Sequence, residues 1–181
     1  MPATPADARD LLISAVLCDD PVLYIDDRWL YEWESSIPPV IERPLEEEGS
    51  RLLAQGTDLT LVGASYSTKL CLDAAEELRL LGVSTSVIDI RILNPLDPGV
   101  VIQSALETRR LLVVDGGWRN CGFAGEIVAQ VAEGTHSGAL IRPPVRLTLP
   151  DAAAPTSGPL ERDYYTTVSQ VVKAVETMMH D

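Results

Sequence analysis

From Asp58 onward the chain alternates between strand-like and helix-like segments, and this order restricts its fold more than any other feature. The strand-like runs are LTLVG, VSTSVIDIRIL, RRLLVVD and PVRLTLPD, and a helical pattern follows each of them. Strands that alternate with helices pair in parallel, because each helix returns the chain across one face of the sheet. The sequence therefore predicts an α/β fold over residues 50–181: a three-layer α/β/α domain with a largely parallel sheet.

The signals within this domain also predict where its elements begin and end. Two strands flank a turn at Gln55–Asp58. A helix spans Thr68–Gly82, and Gly82 is a natural stop beyond its last turn. The run Arg109–Asp115 is the kind of apolar strand that is buried on both faces. A closing helix spans Tyr164–Met179. The apolar face of the first helix comprises Leu70, Ala74, Leu78 and Leu81, and that of the last comprises Val168, Val171, Val172 and Val175.

The first 49 residues have a different organisation. Thr4 and Pro5 are a typical helix start, and apolar residues at Leu11, Leu12, Ala15 and Val16 follow at helical spacing. Pro21–Asp26 (PVLYID) is predicted to form a short strand. The next residues, up to Glu48, are irregular and contain an acidic run, so we interpret them as a linker or docking segment.

Composition excludes several classes of protein. The net charge of −13 would repel a phosphate backbone, which argues against nucleic-acid binding. No apolar run reaches the roughly 18 residues that suggest a membrane span. Cys18, Cys71 and Cys121 are far apart and odd in number, so we expect reduced thiols in a cytoplasmic setting. The amino-terminal residues have no secretory signal pattern.

The stretch LLVVDGGWRNCGFAGEIVAQVAEG combines an apolar strand, a glycine-rich turn and a helix, which is the arrangement of many phosphate sites. Its glycines are Gly116, Gly117, Gly122 and Gly125. Their spacing does not fit the dinucleotide fingerprint, and Phe123 and Ala124 stand where a phosphate-binding loop needs Lys and Ser or Thr. We therefore interpret the glycines as a tight turn that lets the helix approach the sheet, against the alternative of a nucleotide-binding enzyme.

Other polar groups are weaker candidates for a site. Glu126 lies in the first helical turn after the glycines, where the helix dipole favours a carboxylate, and we interpret it as structural. Arg119 has the charge to bind either an anion or an acidic partner. Cys121 lies near a helix start, where thiol pKa values fall, but it is not assigned as a nucleophile. We expect His136 to be exposed in its loop.

A further acidic group lies in the stretch DDRWLY. Asp26 and Asp27, followed by Arg28, suggest metal binding, but no third ligand is near them in the sequence, and a solvated turn is the simpler interpretation. The sequence therefore assigns no catalytic, cofactor-binding or metal-binding residue in this chain.

The glycine turn also carries a family resemblance. VVDGGWRNCGFAGEIVAQV resembles the C-terminal domain of the beta subunits of 2-oxo acid dehydrogenase first components, which belong to the transketolase superfamily and use thiamine diphosphate. TDLTLVGASYSTKLCLDAAEEL, GVSTSVIDIRILNPLD and the closing LPDAAAPTSGPLERDYYTTVSQVVKAV follow in the family's order, with Pro155, Leu160 and Glu161 at matching positions. Residues 1–31 resemble the last helix and strand of the family's preceding pyrimidine-binding domain.

This resemblance implies more than the residues establish alone. It implies a five-stranded sheet with one antiparallel edge strand, and a division into residues 1–30 (tail of a pyrimidine-binding domain), 31–49 (linker) and 50–181 (transketolase C-terminal-like domain). The family's cofactor and magnesium sites lie on other domains, so the expected role of this chain is subunit assembly. The chain alone is expected to hold no cofactor and to be inactive.

The partners that the resemblance implies are a second copy of the chain in a two-fold dimer, an alpha subunit or the pyrimidine- and diphosphate-binding domains, and an acyltransferase core. The alternative is a stand-alone binding or regulatory module of the same fold without a catalytic role.

Overall fold

A computed structural model describes residues 1–180 of the chain. Its strands are β1 (Arg51–Ala54), β2 (Leu59–Gly63), β3 (Thr85–Asp89), β4 (Leu111–Trp118) and β5 (Val145–Leu149). Its α-helices are α1 (Pro5–Leu17), α2 (Tyr66–Leu80), α3 (Gly99–Thr108), α4 (Phe123–Gly134), α5 (Gly158–Tyr164) and α6 (Val168–His180). Short 3₁₀ turns occur at Arg28–Leu30 and Leu45–Glu47. None of the helices in this range is long and apolar enough to cross a membrane.

The strands form one sheet in the order β1-β3-β2-β4-β5. β3, β2, β4 and β5 pair in parallel, and β1 joins β3 antiparallel at one edge. The helices α2, α3 and α4 connect successive parallel strands, which is what the alternation predicts. The expected five-stranded, mostly parallel sheet with an antiparallel edge strand is confirmed.

Apolar side chains on the two faces of the sheet form two hydrophobic cores. Leu59 and Leu61 of β2 contact α2 and α6 on one face, while Val62 points to α3 and α4 on the other. This follows from the period of two in a β-strand, since neighbouring residues point to opposite faces. The three central strands β2, β3 and the first part of β4 are buried, which explains why LLVV in β4 is apolar without interruption.

The predicted strand at Pro21–Asp26 is wrong for the described chain, because this segment has no strand partner. Its composition is strand-like, but a strand exists only where another strand accepts its backbone hydrogen bonds. The helix before it is confirmed at Pro5–Leu17, and the Thr4 side chain accepts a hydrogen bond from the Asp7 backbone amide. Leu11 is buried, whereas Leu12 and Val16 remain exposed.

The closing helix also differs from its prediction. Tyr164 ends α5, and α6 begins only at Val168. At the start of α6, Thr167 and Gln170 form a capping box. The Thr167 hydroxyl accepts a hydrogen bond from the Gln170 backbone amide at 3.4 Å, and the Gln170 side-chain oxygen accepts one from the Thr167 backbone amide at 2.9 Å. Reciprocal capping of this kind starts a helix, so it separates α5 from α6. A second correction concerns Leu81, which lies beyond α2 and is exposed.

Ion pairs connect the amino-terminal segment to the domain. The buried Asp7 carboxylate of α1 contacts Arg91 at 3.0 Å and also pairs with Arg51. Arg91 in turn contacts Glu48 at 2.5 Å. Side chains from α1, from the segment before β1 and from the segment after β3 therefore meet in one buried charged cluster.

Candidate functional site at the carboxyl edge of the sheet

The carboxyl ends of β2 and β4 lie side by side at the centre of the sheet, and the chain leaves them in opposite directions. After β2 it enters α2 on one face, and after β4 it enters α4 on the other. Ligands of open α/β sheets bind in the crevice that such a reversal creates. The loops after β2 and β4 are therefore the candidate site on geometric grounds, and the glycine turn is one of them.

The amino terminus of α4 is capped by a carboxylate of the chain itself. Asp115, at the end of the buried part of β4, accepts a hydrogen bond from the Ala124 amide at 3.0 Å and another from the Gly117 amide at 2.8 Å. Its side chain therefore occupies the position at which a phosphate accepts these hydrogen bonds in a nucleotide-binding loop.

Two of the glycines lie close against this carboxylate. A Cβ atom on Gly122 would lie 2.6 Å from the Asp115 Oδ2 atom and 2.3 Å from the Trp118 carbonyl oxygen. A Cβ on Gly117 would lie 3.0 Å from Asp115 Oδ1. Gly116 differs, because its nearest neighbour would be Ser67 Oγ at 3.6 Å. The turn is thus built around Asp115, and Gly116 and Gly117 belong to the end of β4 itself.

The loop after β2 contains a residue in an unusual conformation. Ser65 precedes α2 with φ 53° and ψ −123°, a region that residues with a side chain rarely occupy. Its hydroxyl is buried and has no hydrogen-bond partner among residues 1–180. A strand–turn–helix with a serine at positive φ resembles a nucleophile elbow, but a nucleophile also needs a base within hydrogen-bond reach. Ser65 therefore lacks the activation that acyl transfer requires.

Aromatic side chains cover this edge of the sheet. The Trp29 ring lies between Tyr66 and Tyr165, with ring centroids 5.5 Å and 5.6 Å away. Tyr165 contacts Tyr164 edge to face, and the Tyr164 hydroxyl accepts a hydrogen bond from the Trp118 indole at 3.2 Å. Residues from the amino-terminal segment, β4 and α5 thereby meet over the carboxyl ends of the strands.

The structure places the other candidate residues apart from a common centre. Glu126 is exposed and accepts a hydrogen bond from Gln130 at 2.7 Å. Arg119 is exposed, and its carbonyl oxygen accepts from Arg146. Cys121 is exposed at φ 58°. His136 is exposed in the loop after α4, as expected.

The acidic pair near Trp29 shapes a turn. Asp26 accepts a hydrogen bond from the Tyr31 hydroxyl at 2.6 Å, and Asp27 accepts from the Trp29 backbone amide at 3.0 Å. Arg28 begins the 3₁₀ turn that Asp27 caps. Within residues 1–180 no three His, Cys, Asp or Glu side chains are grouped so as to hold a metal ion.

Besides the buried acids Asp7 and Asp115, sequence reasoning missed a third one. Asp89, at the carboxyl end of β3, is fully buried and accepts a hydrogen bond from the Thr68 hydroxyl at 2.7 Å. Its Oδ2 atom has no partner among the described residues. Burial raises the pKa of Asp89 to about 6, and the nearby Asp7 carboxylate adds to the effect, while the Thr68 hydroxyl and Arg91 oppose it. An acid directly after the apolar pair Val87 and Ile88 was the available signal.

The fold and this edge define a transketolase-type α/β domain. The model of the family described as transketolase, C-terminal domain matches residues 49–171, and the chain belongs to this family. Among curated proteins it is 34% identical to the mitochondrial pyruvate dehydrogenase E1 component subunit beta of Ascaris suum, over 96% of this chain and 49% of that protein. It is 32% identical to the acetoin:2,6-dichlorophenolindophenol oxidoreductase subunit beta of Cupriavidus necator, over 98% of this chain and 52% of that protein.

A solved structure gives a similar result. The chain matches a protein described as "Split gene transketolase, inactive beta4 tetramer" with a TM-score of 0.61 and 25% identity, over 71% of this chain and 41% of that one. The chain thus spans about half the length of the curated relatives it matches. It corresponds to the C-terminal part of such beta subunits, as the sequence resemblance predicts.

Proposed function

We propose that the chain supplies the C-terminal part of a thiamine-diphosphate-dependent 2-oxo acid dehydrogenase or transketolase-like enzyme, and that its role there is subunit assembly. The observation that carries this proposal is that nearly the whole chain matches about half the length of beta subunits that are named as oxidoreductases. Their pyruvate and acetoin names leave the substrate of this protein open.

Residues 1–180, which the structure describes, do not fit a site for thiamine diphosphate and magnesium. A hard divalent cation needs several converging oxygen ligands, and the pair Asp26 and Asp27 is engaged with Tyr31 and Trp29. The helix terminus at the glycine turn is occupied by Asp115. We therefore place the cofactor and its metal on partner domains, with no step of the reaction in this chain.

The partners that this role requires are an alpha subunit or separate pyrimidine- and diphosphate-binding domains, and a second copy of the chain in a two-fold dimer, the commonest form of assembly. An acyltransferase core is a further proposed partner. The free cysteines Cys18, Cys71 and Cys121 support a reducing, cytoplasmic compartment. Sedimentation at high protein concentration tests the dimer, and a monomer there would contradict it.

The test of the function has two parts. The purified chain is titrated with thiamine diphosphate and magnesium and assayed with pyruvate, branched 2-oxo acids and an artificial electron acceptor; neither binding nor turnover is expected. The tagged chain is then purified from its native host, and the polypeptides bound to it are added back in purified form. Turnover that requires both this chain and those polypeptides supports the proposal, whereas turnover by the chain alone contradicts it.

A further inference from the structure

Asp89 and Arg51 lie directly opposite each other on neighbouring strands. They are partners in the antiparallel pairing of β1 with β3, so their side chains leave the same face of the sheet with roughly 5 Å between Cβ atoms. Opposite charges at such positions ordinarily pair. Arg51 instead donates to the Asp7 carboxylate of α1, while Asp89 accepts only from the Thr68 hydroxyl, at 2.7 Å. The Asp89 Oδ2 atom has no partner within residues 1–180.

Arg91 also pairs with other carboxylates. It follows Asp89 by two residues, yet its guanidinium contacts Asp7 at 3.0 Å and Glu48 at 2.5 Å. Asp7 and Glu48 therefore accept the hydrogen bonds of both arginines. Asp89 is the third carboxylate beside two guanidinium groups, and it is the one without an ion pair.

The attachment of α1 to the sheet domain depends on these ion pairs. The buried residues of α1 are Asp7, Leu11 and Ser14, of which only Leu11 is apolar. Ser14 donates to the Asp10 carbonyl oxygen of the same helix, at 3.0 Å. The Asp7 carboxylate therefore supplies the buried ionic contacts between α1 and the domain, and anything that draws the arginines away from it weakens the attachment.

We propose that Asp89 and Asp7 compete for the same two arginines, so that ionisation of Asp89 loosens the docking of α1 and its protonation tightens it. With Asp89 neutral, Arg51 and Arg91 serve Asp7 at no cost elsewhere. With Asp89 ionised, the docked chain holds a buried charge without an ion pair, which is unfavourable, and detachment of α1 releases both arginines to it. This inference is independent of the proposed function, since it uses only strand register, ion pairs and burial.

The direction of the pH dependence follows from linkage. In the docked chain burial raises the pKa of Asp89 to about 6, and Asp7 adds to the rise, while Thr68, Arg91 and Arg51 oppose it. Detachment of α1 removes Asp7 and releases the two arginines, and both changes lower this pKa. The docked state thus binds the proton more tightly. Docking is strongest below the pKa that Asp89 has in the detached state, and it weakens as pH rises through about 6.

Two further titratable groups face Asp89. Burial raises the pKa of the Cys71 thiol of α2, with a smaller contribution from Asp89, so this thiol stays neutral across the range. The Met1 amino group donates to the Arg91 carbonyl oxygen at 2.8 Å, and burial lowers its pKa below the ordinary value of 8.0. The amino group therefore needs its own control in any pH experiment.

Hydrogen exchange of the full chain tests the proposal, with the α1 rates corrected for the intrinsic pH dependence of exchange. Opening of α1 should increase about tenfold between pH 5 and pH 7.5, since one unit of pKa difference between the two states is a tenfold change. Asp89→Asn should abolish the increase, because asparagine does not ionise and its oxygen can still accept from Thr68. Glu133→Gln, at an exposed acid of α4, is the control and should keep the wild-type response. The same response in wild type and Asp89→Asn overturns the proposal.

Titration of Asp89 itself, followed by carboxyl ¹³C NMR, tests the competition directly. Asp7→Asn should shift the Asp89 titration to lower pH, because the arginines lose their other partner and the coupling between two sites is reciprocal. Asp10→Asn is the control, since Asp10 pairs with Arg9, and it should leave the titration unchanged. A chain acetylated at the Met1 amino group should keep the pH response of α1. An unchanged titration in Asp7→Asn, or loss of the response on acetylation, overturns the proposal.

Discussion

Asp89 is held where its charge is poorly solvated, and this makes the stability of the fold depend on pH. Its pKa is raised by burial to about 6, so the folded chain binds this proton more tightly than the unfolded chain does. The stabilising effect of protonation is complete below the unfolded pKa of 3.8 and is lost as pH rises through about 6. The groups that face Asp89 are the Thr68 hydroxyl and the charged or titratable groups of Asp7, Arg91, Arg51, Cys71 and the Met1 amino terminus.

Asp89→Asn should remove this dependence, because the asparagine side chain does not ionise. Relative to the variant, the wild-type chain should lose roughly 1 kcal/mol of unfolding free energy between pH 5 and pH 8. Urea unfolding of both proteins at the two pH values measures the difference. Asp19→Asn, at an exposed aspartate, serves as the control and should follow the wild type. A difference between Asp89→Asn and wild type that is the same at both pH values would contradict the argument.

Ser65 carries a side chain at φ 53°, and its buried hydroxyl has no partner within the described chain. Ser65→Gly should stabilise the fold by about 1 kcal/mol, since glycine adopts positive φ without strain and removes the unpaired hydroxyl. Thermal unfolding should show a rise of a few degrees. Arg109→Gly is the comparison: Arg109 also has positive φ, but its side chain donates to the carbonyl oxygens of Ala139 and Gly138, so no gain is expected. Destabilisation by Ser65→Gly would instead show that the hydroxyl is needed.

The turn between β4 and α4 shows which features of an element can be predicted from its sequence. The strand, the turn and the helix follow from apolar pattern and glycine, and the missing Lys and Ser or Thr argue against a phosphate loop. What the pattern does not reveal is the role of Asp115, because nothing local shows that its side chain reaches forward to the Ala124 amide. The same limit applies to Pro21–Asp26, whose composition predicts a strand although pairing depends on a partner elsewhere.

Gly122→Ala and Gly116→Ala form a matched pair for this turn. The first places a methyl group 2.3 Å from the Trp118 carbonyl oxygen and 2.6 Å from Asp115, so it should destabilise the fold by about 2 kcal/mol or more. The second meets nothing closer than 3.6 Å and should be within about 0.5 kcal/mol of wild type. Urea unfolding compares them, and equal losses would mean that the turn is not built around Asp115.

The same turn is expected to bind no nucleotide, because its helix terminus already has a carboxylate that would repel a phosphate. Calorimetric titration of the wild-type chain with ATP, NAD and FAD should give no heat of binding above dilution. A micromolar dissociation constant for any of the three would restore the nucleotide-binding alternative.

In the whole molecule, side chains of the residues before β1 contact the sheet domain. The alternation of strands and helices predicts the sheet and its two cores, and the family model matches residues 49–171. The contacts between the residues before β1 and the domain have no sequence pattern: Asp7 meets Arg91 and Arg51, and Trp29 packs between Tyr66 and Tyr165. Such contacts join residues distant in the chain, and only the packed structure brings them together.

Asp7→Ala tests whether this docking depends on the buried ion cluster. The substitution leaves Arg91 with Glu48 as its remaining acidic partner among residues 1–180 and removes the carboxylate that Thr4 also contacts. Removing one partner of a buried pair costs about 3 kcal/mol, so α1 should detach more often from the domain. Limited proteolysis should cut the variant faster between residues 18 and 48, and hydrogen exchange in α1 should speed up while β2 and β4 change little.

Asp10→Ala is the matched control, because Asp10 pairs only with its neighbour Arg9 in the described chain, and it should behave as wild type. Equal rates for the two variants would show that apolar packing of Leu11 and the aromatic contacts of Trp29, not the ion cluster, hold the segment in place.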